Sequence, residues 1–122
     1  MRQVLFLMII IFINFIGCKA HTKNYPEYLI RDNTELGCTE LFYDGITYRP
    51  YGILTSFNKF MAKQIGTSED SPNSKIYELK GYDSREWIVD YLDVFMGGNI
   101  LFKSIDVIEI PKELEKYKIY DF

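Results

Sequence analysis

At residues 39–49 the chain reads TELFYDGITYR, two runs of β-forming residues split by Asp44-Gly45. A two-residue type I′ turn needs positive φ at both central positions, and Asp-Gly supplies this at little steric cost. The pair predicts a tight hairpin with strands near 39–43 and 46–49. Pro50 follows, and a residue without an amide proton stops a ladder or sits at its edge. Whatever else the chain does, it must accommodate an antiparallel unit here.

The rest of the sequence agrees with a β reading. From residue 18 onward there are 17 aromatics: ten Tyr, six Phe and Trp87. Tyr and Phe at that density favour strands. Their first use is to fill a small β core, and on a surface they would bury a flat partner. Ile53, Leu54, Phe57, Phe60, Met61 and Ile65 fit one or two strands, or a short helix over 57–64 that ends at Gly66. Residues 67–74, TSEDSPNS, carry nothing to bury and read as a loop. KIYELKG alternates after it and reads as a strand.

Residues 83–96 support two readings. Asp83-Ser84-Arg85-Glu86 has capping-box form. Trp87, Ile88, Tyr91, Leu92, Phe95 and Met96 then fall on a helical stripe closed by Gly97. Against this, Trp, Ile, Val, Tyr and Phe prefer strands, and a strand buried on both faces need not alternate. The balance tips to strand. NILFKSIDVIEI is β with a kink near Ser104, and Pro111 ends it. Residues 112–122 read as a short helix or a loose polar tail. The sum is a mainly β domain: a small antiparallel sheet rolled into a partly open barrel or sandwich, with one or two short helices.

The N-terminus is of a different character. MRQVLFLMIIIFINFIGC opens on a basic residue, runs apolar from Val4 to Ile16, and ends on Gly17-Cys18. An apolar core of this length suits a secretory signal and is short of the roughly 20 residues that span a bilayer. Phe15-Ile16-Gly17-Cys18 resembles the bacterial lipobox, with a small residue before the cut and a thiol free to take a diacylglycerol. The alternative is an ordinary cysteine near a signal that is cut elsewhere. The lipobox reading divides the chain into a signal peptide (1–17), a lipidated Cys18 with its tether (18–33), a β-rich domain (34–111) and the C-terminal helix or tail (112–122). It places the protein on the extracytoplasmic face of the cell membrane, its membrane partner reached through lipid on Cys18. If Cys18 is acylated, Cys38 is left without a disulfide partner in the chain.

Chemistry is sparse. The single histidine, His21, lies in the tether, so a Ser-His-Asp hydrolase lacks its base. No cluster has zinc spacing, and there is no phosphate-binding glycine loop. Beyond residue 17 the net charge is −4, which gives no footprint for nucleic acid. No cofactor is expected. Asp83, Glu86, Asp90 and Asp93 could form a catalytic carboxylate pair, although a solvated face is the commoner meaning of such a run. Trp87, Tyr91 and Phe95, with Asp90 and Asp93, form the candidate binding surface, and core packing is the competing use of the aromatics.

Three segments carry a resemblance: Phe42-Tyr43-Asp44-Gly45-Ile46-Thr47-Tyr48, Lys63-Gln64-Ile65-Gly66 and Ile76-Tyr77-Glu78-Leu79-Lys80-Gly81-Tyr82. Together with the lipobox they resemble a pattern in small lipoproteins of Gram-positive bacteria. A looser likeness extends to the lantibiotic-immunity lipoproteins. The resemblance spans about residues 40–105 and implies a surface-tethered, non-catalytic β-module. The function expected is therefore a lipid-anchored envelope binding module whose partner is a peptide, a cell-wall component or another envelope protein. The alternative is an envelope hydrolase or accessory enzyme working through the acids of 83–93.

Overall fold

A computed structural model describes residues 24–54, 57–69, 71–92 and 99–122. The strands are β1 (Glu27–Asn33), β2 (Cys38–Tyr43), β3 (Ile46–Leu54), β4 (Met61–Ser68), β5 (Ser71–Leu79), β6 (Trp87–Leu92) and β7 (Asn99–Ser104). Among the described residues there are also two single-turn helices, α1 (Phe57–Phe60) and α2 (Lys112–Glu115). The strands close into a barrel in the order β1-β2-β3-β7-β6-β5-β4. Every neighbouring pair is antiparallel except the seam, where β1 runs parallel to β4 through Glu27↔Thr67 and Tyr28↔Ser68. The barrel is thus closed rather than partly open, and closure removes the exposed edges that an open sheet would present.

The Asp44-Gly45 hairpin is present: φ is 50° at Asp44 and 77° at Gly45, and Tyr43 pairs with Ile46. Other expectations are corrected. The tether was expected to reach residue 33, but β1 occupies Glu27–Asn33 and buries Tyr28 in the core. Pro50 does not end its strand. It lies at a register shift between Pro50 and Gly52, and β3 continues along β7 to Leu54. The bulge absorbs the missing amide. Gly66 does not end an element either, because β4 continues to Ser68. A Cβ at position 66 would lie 2.5 Å from Tyr28 Cε1, so only glycine lets that ring cross the seam. The loop expected over 67–74 is largely ladder, with Thr67 opposite Lys75 and Ser68 opposite Ser71. Backbone pairing does not require apolar side chains, so composition misled there.

β6 is a strand, with Trp87 opposite Lys103 and Tyr91 opposite Asn99 on β7. Its helix-like stripe has a different cause: both of its faces are buried. Ile88 points into the barrel, where it joins Tyr28, Leu41, Ile46, Tyr48, Ile76 and Phe102. Trp87 and Val89 point outward into a second cluster with Tyr51, Leu54, Leu79, Leu101, Leu114 and Tyr117. The acidic capping-box residues serve a turn instead of a helix. Asp83 Oδ1 accepts from the Arg85 amide at 2.9 Å, and the Asp83 carbonyl accepts from Glu86 and Trp87.

The second cluster exists because the C-terminal segment straps across the outside of β3. A Cβ on Gly52 would lie 1.8 Å from the Tyr117 carbonyl oxygen, so the strap passes directly over that glycine. The Tyr117 carbonyl accepts from the Ile53 amide, and the Tyr51 carbonyl accepts from the amides of Ile119 and Tyr120. Leu114 and Tyr117 are buried beneath this crossing. Residues 112–122 are a packed element, not a loose tail. No helix among the described residues is long and apolar enough to cross a membrane.

Candidate functional site

The five residues of the expected binding surface do not share one. Trp87 has no exposed area and meets Tyr51 edge-on, ring centres 5.2 Å apart. It is core, which removes it from any binding surface. Tyr91 follows two residues after Val89 on the same outward face, half-buried and edge-on to Tyr77 at 6.2 Å. Phe95 and Asp93 lie outside the described residues, as do Cys18 and His21.

Asp90 is the exception. It pairs across to Ile76 on β5 and Ile100 on β7, and so faces the barrel interior with them. Only 9% of it is exposed. Ser74 Oγ donates a short hydrogen bond to Asp90 Oδ1. Burial pushes the Asp90 carboxyl above its ordinary range, and the Ser74 bond pulls only partly against this.

The carboxylate lines a cavity of about 280 Å³ at the mouth of the barrel. Ile100, Phe102, Thr39, Pro50, Tyr120 and Phe122 line it with Asp90. The entrance has a sequence-level cause. β2 pairs with β3 only over Leu41–Tyr43, while Cys38–Glu40 pair with β1 alone. Pro50, at the start of the register shift of β3 against β7, has no amide to offer β2. A gap opens between Thr39 and Pro50, and the strap brings Tyr120 and Phe122, stacked at 5.7 Å, to its edge.

Cys38 lies at the same rim, half-buried. Burial and the nearby Glu40 carboxylate raise its thiol, and Arg49 lowers it too little to reverse this. Such a thiol stays protonated and is a poor nucleophile. Glu40 is itself buried on the outer face, bonded by Arg49 and by Asn33 Nδ2 at 3.2 Å. Burial works to raise its carboxyl, but those bonds and the charges of Arg49 and Arg31 win and hold it low.

The acids expected as a catalytic pair do not converge where they are described. Asp83 and Glu86 are exposed in the turn before β6, and Asp90 faces the interior. Glu86 and Asp90 line different cavities. No group of three or more His, Cys, Asp or Glu among the described residues could hold a metal ion.

Sequence reasoning nominated Asp90 but missed its surroundings. Ser74 lay in an expected loop, Pro50 at an expected strand end or edge, and Tyr120 and Phe122 in an expected short helix or tail. The one available signal was Asp90 itself, an acid inside the apolar run WIVDYL. No protein family matches this chain, and neither do any curated protein or solved structure.

Proposed function

We propose that the protein is a lipid-anchored, non-catalytic binding module of the bacterial envelope. Cys18 holds it to the extracytoplasmic face of the cell membrane, and its barrel mouth takes a cationic group from a peptide partner. The observation that carries this reading is Asp90: a buried carboxylate, with Ser74 as its one hydrogen-bonding partner among the described residues, facing an apolar-walled cavity. A buried carboxylate is costly unless something compensates it, and a lysine ammonium would do so. The stem of a lysine suits walls made by Ile100, Phe102 and Pro50. The acidic balance of the chain, −3 overall, favours approach of a basic peptide. An anchor at the membrane face would raise the local concentration of a modest binder.

Two experiments test the two halves. Calorimetric titration with the amidated peptide Ala-Lys-Ala should show binding that weakens at least ten-fold in Asp90→Asn and when lysine is replaced by norleucine. Equal affinity in all three cases would remove the site. For the anchor, metabolic labelling with a fatty-acid analogue should mark the wild type and not Cys18→Ser. An unlabelled wild type would sink the lipoprotein half alone.

A further inference from the structure

On the outer side of the barrel wall, β3, β7 and the C-terminal strap enclose a second groove of about 350 Å³. Three cations line it: Arg49, Lys103 and Lys118. Arg49 and Lys103 sit directly opposite each other across β3 and β7. Like charges so placed repel, and this arrangement is unfavourable unless an anion lies between them. Arg49 has Glu40. Lys103 has no carboxylate among the described residues: its Nζ donates only to the carbonyls of Ser104 at 3.2 Å and Val107 at 3.0 Å. An ammonium has three protons to donate, so one remains. Burial and the neighbouring Arg49 charge both push the Lys103 pKa down, as expected of an uncompensated cation. Lys118 pairs, among the described residues, with Asp121, which also lines the groove, an exposed pair three residues apart at 3.0 Å. Exposed pairs of this kind are weak and open readily.

A second, independent observation is Tyr51. It lines the groove and is 5% exposed, yet its hydroxyl has no hydrogen-bond partner among the described residues. Lys118 and, more weakly, the Glu115 carboxylate lie within electrostatic reach of that hydroxyl. A buried hydroxyl without a partner is unfavourable, and an acceptor would relieve it. The far wall of the groove is apolar. Ile108 is 91% exposed, and Ile105 and Phe122 are 43% and 42% exposed. Such a wall beside three cations suits a ligand with an anionic head and an apolar tail.

We propose that this groove binds a monomeric carboxylate with an apolar tail, its head held by Lys103, Lys118 and the Tyr51 hydroxyl and its tail laid on Ile105 and Ile108. The site differs in chemistry from the barrel mouth, with which it shares Pro50, Tyr120 and Phe122, and does not depend on the peptide reading.

The test is calorimetric titration of the full chain with octanoate, using acetate as the bare head and 1-octanol as the bare tail. Octanoate should bind at least ten-fold more tightly than either. Trp87, the sole tryptophan, touches Tyr51, so its emission should change with octanoate and not with acetate. Lys103→Met and Tyr51→Phe should each weaken octanoate at least five-fold. If Lys103→Met does not fold, Lys118→Gln replaces it. Octanoate affinity unchanged in the folded lysine variant, or equal binding of 1-octanol, overturns the assignment. Binding to phosphatidylglycerol vesicles without any binding of monomeric octanoate overturns it too, since the groove would then serve a lipid surface.

Discussion

At the scale of single residues, two buried side chains decide most. Burial raises the Asp90 carboxyl inside the barrel, so its pKa in the folded state lies above its unfolded value. The sign follows from linkage: the native state binds this proton more tightly, so stability falls as pH rises from the unfolded pKa, about 3.9, through the folded one. Asn cannot ionise and can still accept from Ser74. Asp90→Asn should therefore gain melting temperature relative to wild type between pH 4 and pH 7. A difference that stays flat or shrinks over that range would show that Asp90 is compensated in the native protein. Trp87 is the other case. With no exposed area and an edge contact to Tyr51, it anchors the outer cluster. Trp87→Ala should cost about 3–5 kcal/mol in denaturant unfolding. Wild-type emission should be blue-shifted and shielded from iodide, and ready quenching would place the indole in solvent.

At the scale of elements, backbone geometry matters more than side-chain chemistry. The hairpin between β2 and β3 needs positive φ at Asp44 and Gly45. Nothing stands within 4 Å of a Cβ added at Gly45, so a substitution there meets backbone strain alone. Gly45→Val should destabilise by ~1 kcal/mol or more, read from thermal melts. A melt equal to wild type would mean that the turn rearranges without penalty. The bulge at Pro50–Gly52 works differently. It ends the pairing of β3 with β2, opens the barrel mouth, and frees the Tyr51 carbonyl and the Ile53 amide for the strap. One irregularity thus positions both the mouth and the groove.

At the scale of the whole molecule, the protein is a closed barrel with a core on each side of one wall. The strands β3, β7, β6 and β5 are covered inside by the barrel's own packing and outside by the strap. A chain of this size has little spare stability, so the strap is integral to the fold. Leu114, fully buried on α2, tests this. Leu114→Ala should cost about 2–5 kcal/mol and lower the melting temperature of the entire domain in one transition. Loss of the strap alone, with the barrel still melting at the wild-type temperature, would show two independent units.

Much of the local structure was legible in the chain. Asp44-Gly45 fixed a hairpin because its backbone requirement is satisfied by those two residues alone. The apolar run from Trp87 to Leu92 suggested a buried strand through β-preference, although the same spacing fitted a helix. What decided between them was burial on two faces, which depends on the strap arriving from residues 107–120 and is invisible within the run. The strand at Glu27–Asn33 was missed because its polar residues alternate weakly, and its stability comes from pairing with β2 and from Tyr28 seated over Gly66. Asp90 stood out as an acid among apolar neighbours, but whether it faced water, core or cavity depended on strand pairing. The groove could not be read at all. Arg49, Lys103 and Lys118 lie far apart in sequence and line one groove because β3 pairs with β7 and the strap crosses β3. Short-range backbone chemistry was written in the sequence; the sites arise from contacts between distant segments, which closure of the barrel creates.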